Sequence, residues 1–336
     1  MKCAMIGLGM VSDTFADALS DMPDLTLKGV YARRPESRAA YLAKYPGPID
    51  YDSIEAIADD PEIDFVILTT PPNARIEIVE TLAQAGKHML MEKPVERTLE
   101  AATRICEICE AASVKLGIVL QHRASPKARA LREMISGGTL GKLYAVEINV
   151  PWWRPQSYYD EPGRGTYARD GGGVMLTQAI HPLDLMLSFT GPVSEVIAMT
   201  ATSGFHTMES EDFVAAGLSF ANGAIGSLFT TTATYPGRAE RISFYFENAS
   251  VELGRDRLHI EHQSGASETH GEDAGSGSGA DPMAFSSGLH RAMIEDFAQC
   301  LSENRAPIVS GRDALEVHRL VEALTISGKT GQKFSL

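Results

Sequence analysis

Hydrophobic positions follow two rhythms along this chain, and the change between them divides it. Over the first third, short apolar runs alternate with stretches of helical spacing. Residues 3–6, 26–32, 64–70, 88–91 and 115–120 predict strands. Between them, 12–20 predicts a helix with Phe15, Ala16, Ala18 and Leu19 as its apolar stripe. Further helices are predicted over 38–44, over 74–85 with Gly86 as C-cap, and over 98–112 with Thr98 as N-cap and Glu100 in the first turn. Such βαβ alternation builds a parallel sheet covered on both faces.

After Gln121 the rhythm shifts. A helix over 127–136 precedes a long strand over 143–150, a polar loop rich in Trp, Arg, Pro and Tyr, and a helix over 176–189. Four strand candidates run from 194 to 260. Asn222-Gly223, between two apolar runs, predicts a hairpin, and Glu247-Asn248 a second turn. This series suits a large, mostly antiparallel open sheet. Residues 263–288 are rich in Ser, Gly, Ala, Asp and Glu and predict a mobile loop. Helices over 290–304 and 311–328 close the chain. The reading is α/β. Residues 1–121 form a dinucleotide-binding domain. Residues 122–336 form a substrate-binding and oligomerisation domain, whose C-terminal helices can pack back on the first.

Composition narrows the function. The chain has 336 residues, 44% hydrophobic and 22% charged, with a net charge of −14. That charge argues against nucleic acid, whose phosphates call for a basic face, and against anionic membrane surfaces. No apolar run approaches the ~20 residues that span a bilayer. The chain enters a strand at once, with no signal-peptide layout, so a cytoplasmic location is expected. Cys3, Cys106, Cys109 and Cys300 read as reduced thiols. Cys106 and Cys109 share a C-x-x-C spacing, but inside an apolar helix that spacing reads as core packing. His259, His262 and His270 show no ligand geometry, and no metal site is expected.

The candidate chemistry lies at strand ends. Gly7-Leu8-Gly9-Met10-Val11-Ser12 follows the first strand and opens the first helix, matching G-x-G-x-x-G with Ser12 in the last place. Gly7 and Gly9 allow a tight turn and close approach of a pyrophosphate to the helix N-terminus, with Met10 and Val11 beside it. The second strand ends in Arg33-Arg34, where NAD-selective sites place an acid for the ribose 2′-OH. A guanidinium matches a 2′-phosphate, so NADP is preferred over NAD. Thr70, Pro71 and Asn73, in the turn after residues 64–70, should border the cofactor. Lys93 closes a strand in Met91-Glu92-Lys93-Pro94. Proline keeps its predecessor out of the helical region, so Lys93 reads as aimed. Burial would let it exchange a proton near neutrality.

Gly7-Leu8-Gly9, Thr70-Pro71-Pro72-Asn73, Gly86-Lys87-His88, Glu92-Lys93-Pro94, Gln121-His122-Arg123 and Gly171-Gly172-Gly173 through His181 occur in that order. Together with Ile294-Glu295-Asp296-Phe297 and Pro307-Ile308-Val309-Ser310-Gly311, they resemble the Gfo/Idh/MocA oxidoreductases, the glucose–fructose oxidoreductase and inositol dehydrogenase family. The resemblance covers nearly the whole chain. It implies an N-terminal Rossmann domain and a C-terminal α/β domain whose open sheet forms a subunit interface, in a homodimer or homotetramer. The implied activity is reversible hydride transfer between a nicotinamide and a sugar, cyclitol or related polyol. By the same resemblance, Lys93 polarises the reacting oxygen, His181 exchanges its proton, and Glu92 and Gln121 face the cofactor. Trp153, Arg154 and Tyr159 belong to a segment that some members lay over nicotinamide and sugar, while Trp152 and Tyr158 read as packing. Arg123, Thr177 and Gln178 are substrate-side candidates, and His122 also follows a strand end.

One departure matters. Many family members carry an acid four residues before this histidine, a spacing that puts both side chains on one helix face. Here the position is Thr177, which cannot act as a carboxylate base. His181 then carries more of the proton transfer. Two other readings stay open: a glycosidase using a bound nicotinamide transiently, and a cofactor-sensing regulator on the same fold. Lys93 and His181 argue against the regulator.

Overall fold

The apolar runs of the first third become the strands of one parallel sheet. The computed structural model describes residues 1–254, 257–271 and 287–336. The chain proceeds β1 (Lys2–Ile6), α1 (Ser12–Ser20), β2 (Thr26–Tyr31), α2 (Pro35–Lys44), β3 (Ile49–Asp50), α3 (Ile54–Ala58), β4 (Phe65–Leu68), α4 (Arg75–Gln84), β5 (His88–Glu92), α5 (Leu99–Ala111) and β6 (Leu116–Val119). The sheet order is β3-β2-β1-β4-β5-β6, with every pair parallel. All four β4 residues are fully buried, as strands covered on both faces require. The short β3 and α3 escape the periodicity reading, and α2 begins at Pro35 because proline suits the first helical turn. Thr98 caps α5, its side chain accepting from the Ala101 N–H at 3.2 Å.

The second series is α6 (Pro126–Ser136), β7 (Leu143–Pro151), α7 (Gln156–Tyr159), α8 (Val174–Thr177), α9 (Ile180–Thr190), β8 (Val193–Ala201), β9 (Phe213–Phe220), β10 (Ile225–Thr231), β11 (Arg241–Phe246), β12 (Ala249–Gly254), β13 (Arg257–His262), β14 (Ser267–Gly271), α10 (Gly288–Ser302), α11 (Gly311–Thr330) and β15 (Phe334–Ser335). Among the described residues nine strands form the second sheet, in the order β14-β13-β12-β11-β7-β10-β9-β8-β15. Its ladders are antiparallel except β7–β10.

Three expectations are corrected. Among the described residues the span from 194 to 260 holds six strands, not four, because turns such as Asn222-Gly223 and Glu247-Asn248 separate shorter strands than the apolar runs suggest. The expected helix over 176–189 is two helices. Pro182 in its interior would have clashed with the preceding turn, so the helix restarts at Ile180 and keeps the proline in its first turn. The expected loop over 263–288 contains β14, whose polar residues pair with β13 by backbone bonds; residues 272–286 lie outside the described residues.

The chain divides into two compact units, Met1–Gln121 with Ser286–Leu315 and His122–Phe285 with Glu316–Leu336. Within the first, α10 packs on α1 and β6, and a side chain at Gly117 would stand 2.7 Å from the Phe297 ring. Among the described residues no helix is long and apolar enough to cross a membrane.

Candidate active site

In the first unit the groups of interest gather where the strand order reverses, between β1 and β4. Ligands of open α/β sheets bind outside the carboxyl ends of strands at such a point. Gly7 has φ +99°, and a Cβ there would lie 2.7 Å from the Thr70 nitrogen. The Thr69 hydroxyl donates to the Gly7 carbonyl at 2.5 Å, and the Gly7 N–H to Tyr31 at 2.8 Å. This turn is therefore laced to both neighbouring strand ends. A Cβ at Gly9, by contrast, would meet nothing within 4 Å. Ser12 is buried and donates to the Gly9 carbonyl at 2.6 Å, which satisfies its hydroxyl inside the turn. Val11 caps α1 without a side-chain acceptor, and Met10 is exposed.

The ends of β4, β5 and β6 lie side by side in the sheet. Thr70 follows β4, Lys93 follows β5 and Gln121 follows β6. Thr70 Oγ1 and Gln121 Oε1 are buried without a hydrogen-bond partner among the described residues. A buried polar atom left unpaired is costly, so two at one edge call for a polar ligand. With the open position at Gly9 and the uncapped N-terminus of α1, they fit a dinucleotide. Pro71 is extended, and Asn73 lies exposed in the 3₁₀ turn after it. Arg33 and Arg34 are exposed and have no side-chain partner among the described residues. Their neighbour Arg38 is occupied, by Asp50 at 2.6 Å and the Ala32 carbonyl at 2.9 Å.

Glu92 is buried. One carboxylate oxygen accepts from the Lys93 N–H at 3.0 Å, and the other lies 3.5 Å from Nε2 of His290, a buried residue in the first turn of α10. His290 and the buried Arg75 are missed by sequence reasoning. A histidine opening a helix and an arginine beginning one carry no signal of what they touch. The four thiols are buried. Desolvation pushes Cys3 and Cys109 up to about 12 and Cys106 up to about 11, so they stay protonated at neutral pH.

The second unit holds the other candidates. Gly173 comes so close to Glu211 that a Cβ would overlap its carbonyl oxygen. The Glu211 carboxylate accepts from the Gly173 N–H at 3.1 Å and the Met175 N–H at 3.3 Å, capping α8. Burial raises the Glu211 carboxyl above its ordinary range despite these donors, and Asp212 adds to the shift. The glycine triplet thus lets the chain press onto a buried acid and enter α8 and α9, where His181 is buried.

His181 stacks at a 30° tilt beside His122, with ring centroids 5.0 Å apart. Arg123 forks onto the buried Asp184 at 2.7 and 2.5 Å, which fixes two of its guanidinium nitrogens on that acid. The break after α8 separates Thr177 from His181, so they do not share one continuous helical face as the spacing predicts. The Thr177 hydroxyl donates back to the Gly173 carbonyl at 2.6 Å. Gln178 reaches the Tyr158 hydroxyl at 3.4 Å. Tyr159 bonds Thr232 at 2.8 Å, and its burial raises the phenol. Arg154 is buried and donates to the Trp153 carbonyl at 2.8 Å. Trp153 stands edge-on to Phe205 and Tyr235.

Residues 1–119 match a family described as oxidoreductases with an NAD-binding Rossmann fold, and residues 128–252 match the GFO/IDH/MocA C-terminal domain. An uncharacterized oxidoreductase of Schizosaccharomyces pombe is 29% identical over 222 residues, 63% of this chain and 58% of that protein. A myo-inositol 2-dehydrogenase of Thermotoga maritima is 26% identical over 253 residues, 73% of this chain and 72% of that protein. Among solved structures, the WlbA dehydrogenase of Bordetella pertussis, in complex with NADH and UDP-GlcNAcA, superposes with a TM-score of 0.86 at 28% identity, covering 100% of this chain and 97% of that one. Matched in both its halves, the chain belongs to the Gfo/Idh/MocA family of NAD-binding oxidoreductases.

Proposed function

We propose that this protein transfers a hydride between a nicotinamide dinucleotide and a secondary alcohol or ketone of a sugar, cyclitol or related polyol. The observation that carries the reading is the row of groups at the ends of β1, β4, β5 and β6: an open glycine turn, two unpaired buried polar atoms and a backbone-anchored lysine. The relatives named for myo-inositol and UDP-GlcNAcA support the substrate class. When bound, the nicotinamide accepts or supplies the hydride. Gly7, Gly9, Met10, Val11, Thr70, Pro71, Asn73, Glu92 and Gln121 hold the cofactor in this reading, with Arg33 and Arg34 favouring a 2′-phosphate. Trp153 and Arg154 are assigned to the nicotinamide end.

Lys93 donates a hydrogen bond to the reacting oxygen and stabilises the charge that develops there. His181 takes the hydroxyl proton in oxidation and returns it in reduction. Thr177 offers only a hydroxyl in the place where many members carry a carboxylate, so His181 carries more of that task. Arg123, Tyr159, Thr177 and Gln178 are assigned to the sugar. The exposed face of the second sheet, with Ile197 and Met199 on β8 and Ile225 on β10 on the same side, is assigned to pairing with a second copy of the chain.

The test is a screen of aldoses, inositols and keto-sugars with NADP and NAD, followed by nicotinamide absorbance. Lys93→Ala should lower kcat/KM with the best substrate by roughly 10²–10⁴-fold. Turnover within a few-fold of wild type would remove Lys93 from the site.

A further inference from the structure

Arg75 begins α4 with only 2% of its surface exposed. A cation there opposes the helix dipole, and a buried charge is costly unless its donors are satisfied. Among the described residues no carboxylate is in hydrogen-bond contact with it. Every acceptor among them is a backbone carbonyl, from the turn after β4 or from the end of β5 and the loop after it. Nε and Nη2 donate to Thr70 at 3.1 and 2.7 Å. Nη1 donates to Glu92 at 2.5 Å, to Val95 at 3.3 Å and closely to Pro94. Glu92 and Pro94 are the residues on either side of Lys93. Burial lowers the guanidinium to about 10, which leaves it charged at neutral pH.

The fork therefore grips the carbonyls that flank Lys93 and, on its other edge, the turn that carries Thr70. Five N–H donors in one rigid plane can span two loops; an ammonium cannot do so with the same geometry. We infer that Arg75 is the positioning residue of the reaction: it fixes the backbone on both sides of Lys93 and ties it to the Thr70 turn, so that Lys93 and the cofactor-binding turn keep one register. This inference rests on the reading of Lys93 given above. A misplacement on the order of 1 Å at a reacting group costs about a hundredfold in rate, which sets the scale of the effect.

A double-mutant cycle tests it. Arg75→Lys keeps the charge and most of the volume, and Arg75→Gln is the second variant; both are checked for folding by circular dichroism. In the wild-type background Arg75→Lys should lower kcat by roughly 10²-fold, while the Kd for the reduced cofactor changes only a few-fold. In the Lys93→Ala background the same substitution should change kcat by less than about twofold, because its effect on the chemical step runs through Lys93, whereas its effect through the Thr70 turn is read in the cofactor Kd. Equal losses in both backgrounds, an unchanged kcat, or failure of both variants to fold would assign Arg75 to the fold alone and overturn the inference. An active Lys93→Ala enzyme would instead overturn the reading of Lys93, and the inference with it.

Discussion

Gly173 donates its N–H to the carboxylate of Glu211 at 3.1 Å while its α-carbon faces the Glu211 backbone so closely that a Cβ would stand 1.8 Å from the carbonyl oxygen. The last glycine of the triplet is thus required by contact, not by left-handed backbone, since its φ is −99°. Gly173→Ala must push the Glu211 loop before β9 away or unseat α8. It should destabilise the protein by about 1–3 kcal/mol in urea unfolding, the range for overpacking a tight contact. Sugar-dependent kcat should fall as well, because α8 leads into the helix of His181. An alanine variant with wild-type stability and rate would show that the contact relaxes freely.

Glu211 gives a pH signature. Burial holds its carboxyl above the ordinary value of 4.5, so the folded state binds this proton more tightly than the unfolded chain does. The group's favourable contribution is complete below the unfolded value and is lost as pH rises through the folded one. Glu211→Gln keeps the shape and an acceptor for the N–H groups of Gly173 and Met175 but does not titrate. The stability of wild type relative to Glu211→Gln should therefore decline from about pH 4.5 towards neutrality. Urea midpoints measured across that range check it, and a difference that is flat or grows with pH rejects it.

What the sequence reveals here follows from distance along the chain. The parallel sheet was legible because every strand but the two-residue β3 announces itself locally, as four consecutive apolar residues in Phe65–Leu68 or a glycine at a helix end. The turn signals at Asn222-Gly223 and Glu247-Asn248 sit at the β9–β10 and β11–β12 connections. The helix break before His181 was marked by Pro182, a residue that fits only a first turn, but the surrounding apolar run masked it. Arg75 and Glu211 were not legible. Glu211 makes its contacts with backbone 36 to 38 residues away, and Arg75 bridges Thr70, five residues before it, to residues 17 to 20 positions after it. Backbone groups at such separations leave no trace in residue type.

The cofactor choice is testable at Arg33 and Arg34. Both guanidiniums are exposed and, among the described residues, unengaged just after β2, whereas Arg38 is already spent on Asp50. A charge-assisted hydrogen bond contributes about 1.5–3 kcal/mol, so Arg33→Ala with Arg34→Ala should weaken NADPH binding at least roughly tenfold. NADH, which lacks the 2′-phosphate, should bind within a few-fold of wild type. Because surface charges are screened, the NADPH preference should also shrink as salt rises. Fluorescence titration with both cofactors reads each effect, and tighter NADH binding by the wild type would reject the NADP preference.

The exposed face of the second sheet predicts the assembly. Ile197 and Met199 on β8 are 54% and 59% exposed, and Ile225 on β10 is 63% exposed. Between them β9 presents Ala215, Gly217 and Ser219, so the centre of the face is flat and carries no long side chain. The opposite faces of these strands carry Val196, Val214 and Leu228, all buried, so the apolar residues on this side are not needed for the unit's own core. Flat apolar sheet surface of this kind gains stability by being covered, and a second copy offers the same surface related by a twofold axis. Ile197→Asp with Met199→Asp places two like charges at that contact without entering the core. The variant should keep its circular dichroism spectrum and thermal midpoint near wild type while light scattering reports a smaller assembly. A wild type that is already monomeric, or an assembly unchanged by the two acids, would show that this face is not the subunit contact.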